Sequence, residues 1–288
     1  MSEVIFMRNK VAIFSSKKHS LLFWLMLSPM LLFILFPFIW ALLLSFKSDA
    51  EIFESPIHYL PRQFQFENYW QIWNSIGFSS FFLNSLLVCT ASVIFIGLFA
   101  VMSGYAMNRF HFKGKKTFML ALLCTQFIPS VMLLIPLTQL YRSLNLIDTY
   151  AALILTYIVV ELPFAAILMR GFVAGIPYEI EQAAQIDGCN RVQAICRVVL
   201  PILLPGIAAV AIFAFVGCWN EFLFALMFEN SQRHFTVPVA LSYMRGQYSV
   251  AYGPLAAGSM IALLPPIILF ACIQKHLVQG LSSGAVKA

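Results

Sequence analysis

Long stretches without Asp, Glu, Lys or Arg alternate with short charged segments along the chain. Each uncharged stretch can hold the roughly 20 apolar residues that cross a bilayer as a helix. A further stretch, between Thr149 and Met169, is interrupted only by Glu161. The regular alternation of polar and apolar residues that marks a membrane β-barrel is absent. The uncharged stretches lie between Lys18 and Lys47, Glu67 and Arg109, Lys116 and Arg142, Arg197 and Glu221, and Arg245 and Lys275.

These stretches predict membrane helices, because backbone groups in lipid must satisfy one another's hydrogen bonds. We therefore expect an all-α membrane protein with six transmembrane helices, forming a single transmembrane domain over residues 1–288. Two prolines in "FIPSVMLLIP" (127–136) predict that the third span is either kinked or broken. The predicted spans cover about residues 21–46, 80–106, 117–139, 150–172, 203–227 and 254–274.

Composition supports the membrane class. The chain is 61% hydrophobic and only 10% charged, whereas an ordinary soluble domain carries about 25% charged residues. The first apolar stretch is longer than the 7–15 residues of a signal-peptide core, and no small-x-small cleavage site follows it. We expect this stretch to remain as a membrane anchor.

The distribution of Lys and Arg predicts that both termini are cytoplasmic. With the N-terminus inside, 13 of the 18 basic residues fall in inner segments, and those left outside are Lys47, Arg62, Arg142, Arg233 and Arg245. The tails 1–20 and 279–288 and the loop 177–201 are then cytoplasmic. The basic residues flank spans beside membrane lipid and form no separate patch, so no nucleic-acid partner is expected.

The 177–201 loop, which contains "EQAAQIDGCNRVQAICRVVLP", is unusually polar for this chain. Pro177 suits the first turn of a helix, and Gly188 suits the left-handed residue that ends one. Asn190 can cap a second helix. We expect Pro201 to end that second helix and Pro205 to begin the fifth span.

The first predicted helix of the loop has one small, apolar face, because Ile180, Ala183, Ala184 and Asp187 follow helical spacing. Such a face could fit a cleft on a soluble partner. The alternative is an amphipathic loop that lies on the lipid headgroups. The helix is not strongly basic and lacks large apolar anchors, which favours docking.

The sequence offers few residues for disulfides, metal sites or catalysis. No cysteine lies in a predicted outer loop, which argues against a disulfide framework. Cys189 and Cys196 have no nearby His, which argues against zinc there. No histidine lies at mid-span and no catalytic motif occurs, so an enzyme is not expected. Glu161 and Glu221 are acidic residues within predicted spans, and a secondary transporter or channel that uses Glu161 is the alternative function.

A set of motifs resembles a known family. "EQAAQIDG" followed by "VVLP" is similar to the EAA loop of the permease subunits of ABC importers. Further segments over about residues 20–288 resemble the maltose-type carbohydrate branch of these permeases. They are "FKSDAEIF", "NSLLV", "GYAMNRFHFKGKK", "IPLTQLY", "LNLIDT", "LPFAAILMRGF", "WNEFLFAL" and "GLSSGAVK".

The resemblance implies a subunit of a binding-protein-dependent importer for a sugar or oligosaccharide. Its implied partners are a second homologous permease, a pair of ATP-binding-cassette ATPases and an extracytoplasmic sugar-binding protein. The chain itself is expected to bind no cofactor, because ATP and magnesium would bind to the ATPase. The tail from Gly280 to Lys287 is implied to reach toward that ATPase. The resemblance also implies that the chain lies in a bacterial inner membrane.

The resemblance also implies the residues that couple the permease to the ATPase. The sequence departs from the family at Gln182, where glutamate is common, and the adjacent Glu181 could supply the carboxylate. No substrate-binding residue is assigned by the motifs. The expected coupling residues are Glu181, Gln182, Ala183, Ala184, Asp187, Gly188, Leu200 and Pro201.

Overall fold

The chain is mainly helical in the part that the structure, a computed structural model, describes: residues 17–75, 77–244 and 251–285. Short π-helical turns at Gln71–Ser75 and Ile195–Val199 and a 3₁₀ turn at Gln232–His234 connect α-helices. The α-helices are α1 (Lys17–Ser45), α2 (Asp49–Ile52), α3 (Glu67–Trp70), α4 (Phe78–Arg109), α5 (Lys115–Thr125), α6 (Ser130–Ser143), α7 (Tyr150–Ala174), α8 (Tyr178–Ile186), α9 (Arg191–Ala194), α10 (Leu200–Asn220), α11 (Leu223–Phe228), α12 (Val237–Tyr243) and α13 (Tyr252–Ala285).

The helices confirm the all-α membrane class. Within the described ranges, five helical segments are long and apolar enough to cross a membrane, and the bent pair α5–α6 would make a sixth. The two helices of that pair meet at 99°, so the third predicted span is broken. The break falls at Pro129, whose extended ψ of 130° fits the inability of proline to continue a preceding helix.

The predicted end of the fifth span was wrong. The helix stops at Asn220, and α11 is a separate element. Glu221 between them is extended, with ψ 128°, and its carboxylate accepts hydrogen bonds from the backbone N–H groups of Phe224 (2.8 Å) and Ala225 (3.1 Å). A carboxylate that satisfies the first free N–H groups favours a new helix start, which explains the break.

The prediction that Pro201 ends the loop's second helix was also wrong. Helix continues from Arg191 through Pro201 and Pro205 to Asn220. The π-turn at Ile195–Val199 precedes the proline, and Pro201 therefore falls in the first turn of α10, as the α-helical pattern restarts. A missing N–H is tolerated in a first turn.

The described residues form two compact units, and the first contains residues 17–72 and 251–260. The side-chain amide of Asn68 is buried there and donates to the carbonyl oxygens of Ser45 (2.9 Å) and Lys47 (2.8 Å). The carboxylate of Asp49 accepts a bond from the backbone of Gly253 at 3.0 Å. These bonds join the chain after α1 to the start of α13. The single-domain organisation stays a prediction.

The second unit, residues 73–244 and 261–285 with the gap at 76, is built on close packing of α4, α7 and α10. A Cβ atom on Gly104 would lie 2.9 Å from Met169 and from the backbone of Arg170. A Cβ atom on Gly206 would lie 2.5 Å from the ring of Phe172. Glycine at these positions therefore lets α4 and α10 approach α7 at van der Waals distance.

Candidate functional site: an anchored loop and a polar cavity

The loop's first helix, α8, ends in a complete Schellman motif. Gly188 adopts the left-handed conformation with φ +91°, which confirms the sequence-based expectation. Its N–H donates to the carbonyl of Gln185 at 3.1 Å, and the N–H of Cys189 donates to the carbonyl of Ala184 at 3.0 Å. These bonds satisfy two carbonyl groups at the helix end and fix the reversal of the chain.

The second helix of the loop starts with a reciprocal capping box. Asn190 accepts from the N–H of Gln193, whose side chain accepts from the N–H of Asn190, both at 2.9 Å. The predicted cap at Asn190 is thus confirmed. The guanidinium of Arg191 lies 4.3 Å from the ring centre of Phe110, so a cation–π contact joins this helix to the end of α4.

A buried ion pair anchors the loop to α4. Glu181 is only 1% exposed, and its carboxylate accepts bonds from Arg109 Nε at 2.6 Å and Tyr105 Oη at 2.8 Å. The same Arg109 also donates to the carbonyl of Ile176 at 2.8 Å. The Glu181 carboxylate is therefore enclosed against α4 and is not exposed on the surface of the loop. Its structural effect is to position α8.

Three residues of the predicted face, Ile180, Ala183 and Asp187, are exposed, but the fourth is not. Ala184 is buried, whereas Ile186 is 85% exposed and Val192 is 67% exposed. Of the other predicted coupling residues, Leu200 lies in the first turn of α10 and is half-buried. The remaining ones are exposed: Gln182, Ala183, Asp187, Gly188 and Pro201. The sequence signal for Ile186 was available, because it lies one helical turn beyond Gln182 and Ala183.

Replacing Gly188 by proline is expected to open the loop. Proline cannot adopt φ +91° and has no N–H for Gln185. A left-handed conformation alone costs an L-residue about 1–2 kcal/mol. This cost would raise the fraction of molecules with an unfolded 177–201 loop about tenfold. We expect faster protease cleavage within the loop in the full-length protein. Gly188→Asn is the matched control, because asparagine tolerates this conformation, and equal cleavage of both variants would contradict the prediction.

A cavity of about 320 Å³ lies where helices are interrupted. Its lining is mainly apolar but includes several polar side chains, and it is termed the polar cavity. Ser130, at the break between α5 and α6, lines one side. Glu221, at the break between α10 and α11, lines another and accepts a bond from Tyr157 Oη at 3.0 Å. Glu161 also lines it and packs against Gly217, where any side chain would collide with the carboxylate. Interrupted helices and carboxylates thus meet at one cavity inside an apolar bundle.

A second acidic cluster lies between the start of α7 and the segment that joins α11 to α12. Asp148 Oδ1 accepts bonds from the backbones of Asn230 and Ser231, each at 3.0 Å, and lies 3.2 Å from His234 Nδ1. Burial by itself would raise the pKa of Asp148, but these hydrogen bonds hold it well below its usual range. Burial, followed by the charge of Asp148, raises the pKa of Glu229 to about 8.

Asn84, on α4, binds the segment that joins α11 to α12. Its side-chain amide donates to the carbonyl oxygens of Arg233 (2.8 Å) and Phe235 (3.0 Å) and accepts from Tyr150 Oη at 2.7 Å. Because Tyr105 and Arg109 lie at the other end of α4, the acidic cluster and the anchored loop lie at opposite ends of the bundle.

This arrangement of apolar spans, an anchored polar loop and a cavity at helix breaks is that of a multi-pass membrane protein. A family model matches residues 94–283, and its description is binding-protein-dependent transport system inner membrane component. The chain belongs to this family. It is accordingly a transport subunit and not an enzyme.

Individual relatives match over most of their length. The chain is 34% identical to the sulfoquinovosyl glycerol transport system permease protein SmoH of Agrobacterium fabrum, covering 88% of this chain and 89% of the relative. It is 32% identical to the trehalose transport system permease protein SugB of Mycobacterium tuberculosis, and the match covers 92% of this chain and 97% of the relative.

A solved structure confirms the fold. A chain of a bacterial ABC transporter involved in the import of the acidic polysaccharide alginate superposes with a TM-score of 0.78, at 21% identity. The match covers 91% of this chain and 97% of that chain. The permease architecture is therefore shared along nearly the whole length.

Proposed function

We propose that this chain forms half of the translocation pathway of an ATP-driven, binding-protein-dependent ABC importer for a sugar or oligosaccharide. The observation that carries the proposal is the anchored 177–201 loop with its exposed Ile186 and Val192, in a chain of this transport family. The relatives named for sulfoquinovosyl glycerol and trehalose transport support a sugar-like cargo. A third relative, 34% identical, is named for arabinooligosaccharides.

The loop is the surface that transmits motion from a separate ATPase. Ile186 and Val192 are exposed apolar side chains that flank the rigid turn at Gly188, and a cleft on the ATPase would cover them. The buried pair of Arg109 and Glu181 ties that surface to the end of α4. A displacement of the loop by the ATPase would therefore move α4 and the helices packed on it.

The polar cavity is the part of the pathway that this chain contributes. Ligand sites in transporters commonly lie where membrane helices are interrupted. Glu161 and Asn220 face this cavity together with Ser130, and amide, hydroxyl and carboxylate groups can hydrogen-bond sugar hydroxyls. A second homologous permease would complete the pathway, and an external binding protein would deliver the sugar to it.

Membrane topology completes the proposal. The chain would lie in a bacterial inner membrane, with both termini and the 177–201 loop in the cytoplasm, as the Lys and Arg distribution favours. ATP and magnesium would bind to the ATPase and not to this chain. The implied contact of Gly280 to Lys287 with that ATPase falls partly on residues 286–287, which lie outside the described residues.

The test is transport by the purified importer in proteoliposomes. We expect uptake of a radiolabelled sugar that requires ATP inside and the binding protein outside, and that persists when ionophores collapse ion gradients. Glu161→Gln should retain ATP-driven uptake, because an amide still hydrogen-bonds a sugar. Uptake that needs no ATP but is abolished by ionophores or by Glu161→Gln would support the secondary transporter instead.

A further inference from the structure

We propose that Asp148, Glu229 and His234 form a binding site for one divalent transition-metal cation, at the end of the bundle opposite the 177–201 loop. The ligand atoms that the three side chains can offer all lie within 4.8 Å of one another. The site is separate from the polar cavity, whose lining includes none of these residues. The inference does not depend on the proposed transport function.

The buried carboxylate of Glu229 carries the proposal. Glu229 is 3% exposed, and neither of its oxygen atoms has a hydrogen-bond partner among the described residues. A buried carboxyl group without a hydrogen-bond partner is unfavourable, and buried polar groups are normally hydrogen-bonded or bound to a metal. Its nearest basic atom is His234 Nδ1, 3.7 Å away, which is too far for a hydrogen bond. A cation between these groups would supply the missing partner.

The spacing of the three side chains fits a small cation. His234 Nδ1 lies 3.2 Å from Asp148 Oδ1 and 3.7 Å from Glu229 Oε2. Two ligand atoms on a tetrahedral zinc ion with bonds of about 2.0–2.2 Å are about 3.3–3.6 Å apart. The two separations from His234 therefore bracket this range. The separation between the two carboxylate ligand atoms is at most 4.8 Å, and it would shorten as both carboxylates turned onto the cation.

The surroundings of the cluster also resemble those of metal ligands. The backbone N–H groups of Asn230 and Ser231 fix the carboxylate of Asp148, as outer hydrogen bonds orient metal-binding carboxylates. One imidazole and two carboxylates suit Zn²⁺ or Mn²⁺ better than a soft cation. Three protein ligands leave a further coordination position for water.

The bound cation would cross-link two parts of the fold. Asp148 precedes α7, whereas Glu229 and His234 belong to the segment between α11 and α12. At present these parts are joined through the hydrogen bonds of Asp148. A cation would therefore stabilise the folded protein against heat. With the predicted topology, it would bind from the outer side of the membrane.

The experiment uses the full-length protein in its importer complex, stripped with a chelator and then equilibrated with buffered Zn²⁺. We expect one zinc per chain in the wild type and an increase in melting temperature on adding Zn²⁺. Glu229→Gln and His234→Gln should each lose both effects. Cys189→Ser is the matched control, because thiols also bind zinc, and it should keep both.

Two results would overturn the proposal. One is a wild type that retains no zinc, and the other is a Glu229→Gln variant that retains as much as the wild type, which would indicate an adventitious ion only. If the variants do not fold, X-ray absorption at the zinc edge of the wild type decides: nitrogen and oxygen ligands support the site, and sulfur ligands exclude it.

Discussion

Arg109→Gln is expected to destabilise the 177–201 loop strongly and to abolish most ATP-driven uptake. The substitution leaves Glu181 buried without its cation, because the two side chains are 9% and 1% exposed and 2.6 Å apart. Removing one partner of a buried pair costs about 3–5 kcal/mol. The measurements are the melting temperature of the purified protein, protease cleavage within the loop, and uptake in proteoliposomes.

A double-mutant cycle separates the pair from other effects of the substitution. Arg109→Gln combined with Glu181→Gln should recover part of the lost stability, because no buried charge is then left unpaired. The matched control is Glu54→Gln, which removes the exposed ion pair with Arg62 at 3.0 Å and should cost less than about 1 kcal/mol. Equal, small effects of Arg109→Gln and Glu54→Gln would show that the buried pair does not anchor the loop.

The sequence predicts the membrane helices well where one apolar stretch forms one helix. It does less well where side chains end or restart a helix. Glu221 looks like an acid inside a span, but its carboxylate begins α11. Pro201 looks like a helix end, but the π-turn before it lets helix continue. Both outcomes depend on local backbone geometry that residue spacing does not specify.

In the candidate site too, the sequence predicts local features but not contacts between distant residues. The turn at Gly188 and the cap at Asn190 are local features, and the sequence predicts both. The pairing of Arg109 with Glu181 joins residues 72 positions apart, and the contact of Asp148 with His234 joins residues 86 apart. Such pairs depend on which helices pack together, and a single sequence does not reveal that.

Ile186→Glu is expected to abolish binding of the ATPase while the permease still inserts into the membrane. Ile186 is 85% exposed at the end of α8, next to the rigid turn at Gly188, and a partner cleft would bury it. Placing a carboxylate in such a cleft removes an apolar contact and buries an unpaired charge. Loss of a central interface side chain costs about 2 kcal/mol or more, which is about 30-fold in affinity.

The measurement is copurification of the ATPase with the tagged permease, together with ATP-driven uptake. Ile57→Glu is the matched control, because Ile57 is also highly exposed but lies in the 47–79 segment, on the predicted outer side. Ile57→Glu should leave ATPase binding unchanged. If Ile186→Glu copurifies with the ATPase and transports as the wild type does, the exposed end of α8 is not the docking surface. Because α8 stays fixed by Arg109 and Glu181 in this variant, a loss of binding would reflect the surface itself and not an unfolded loop.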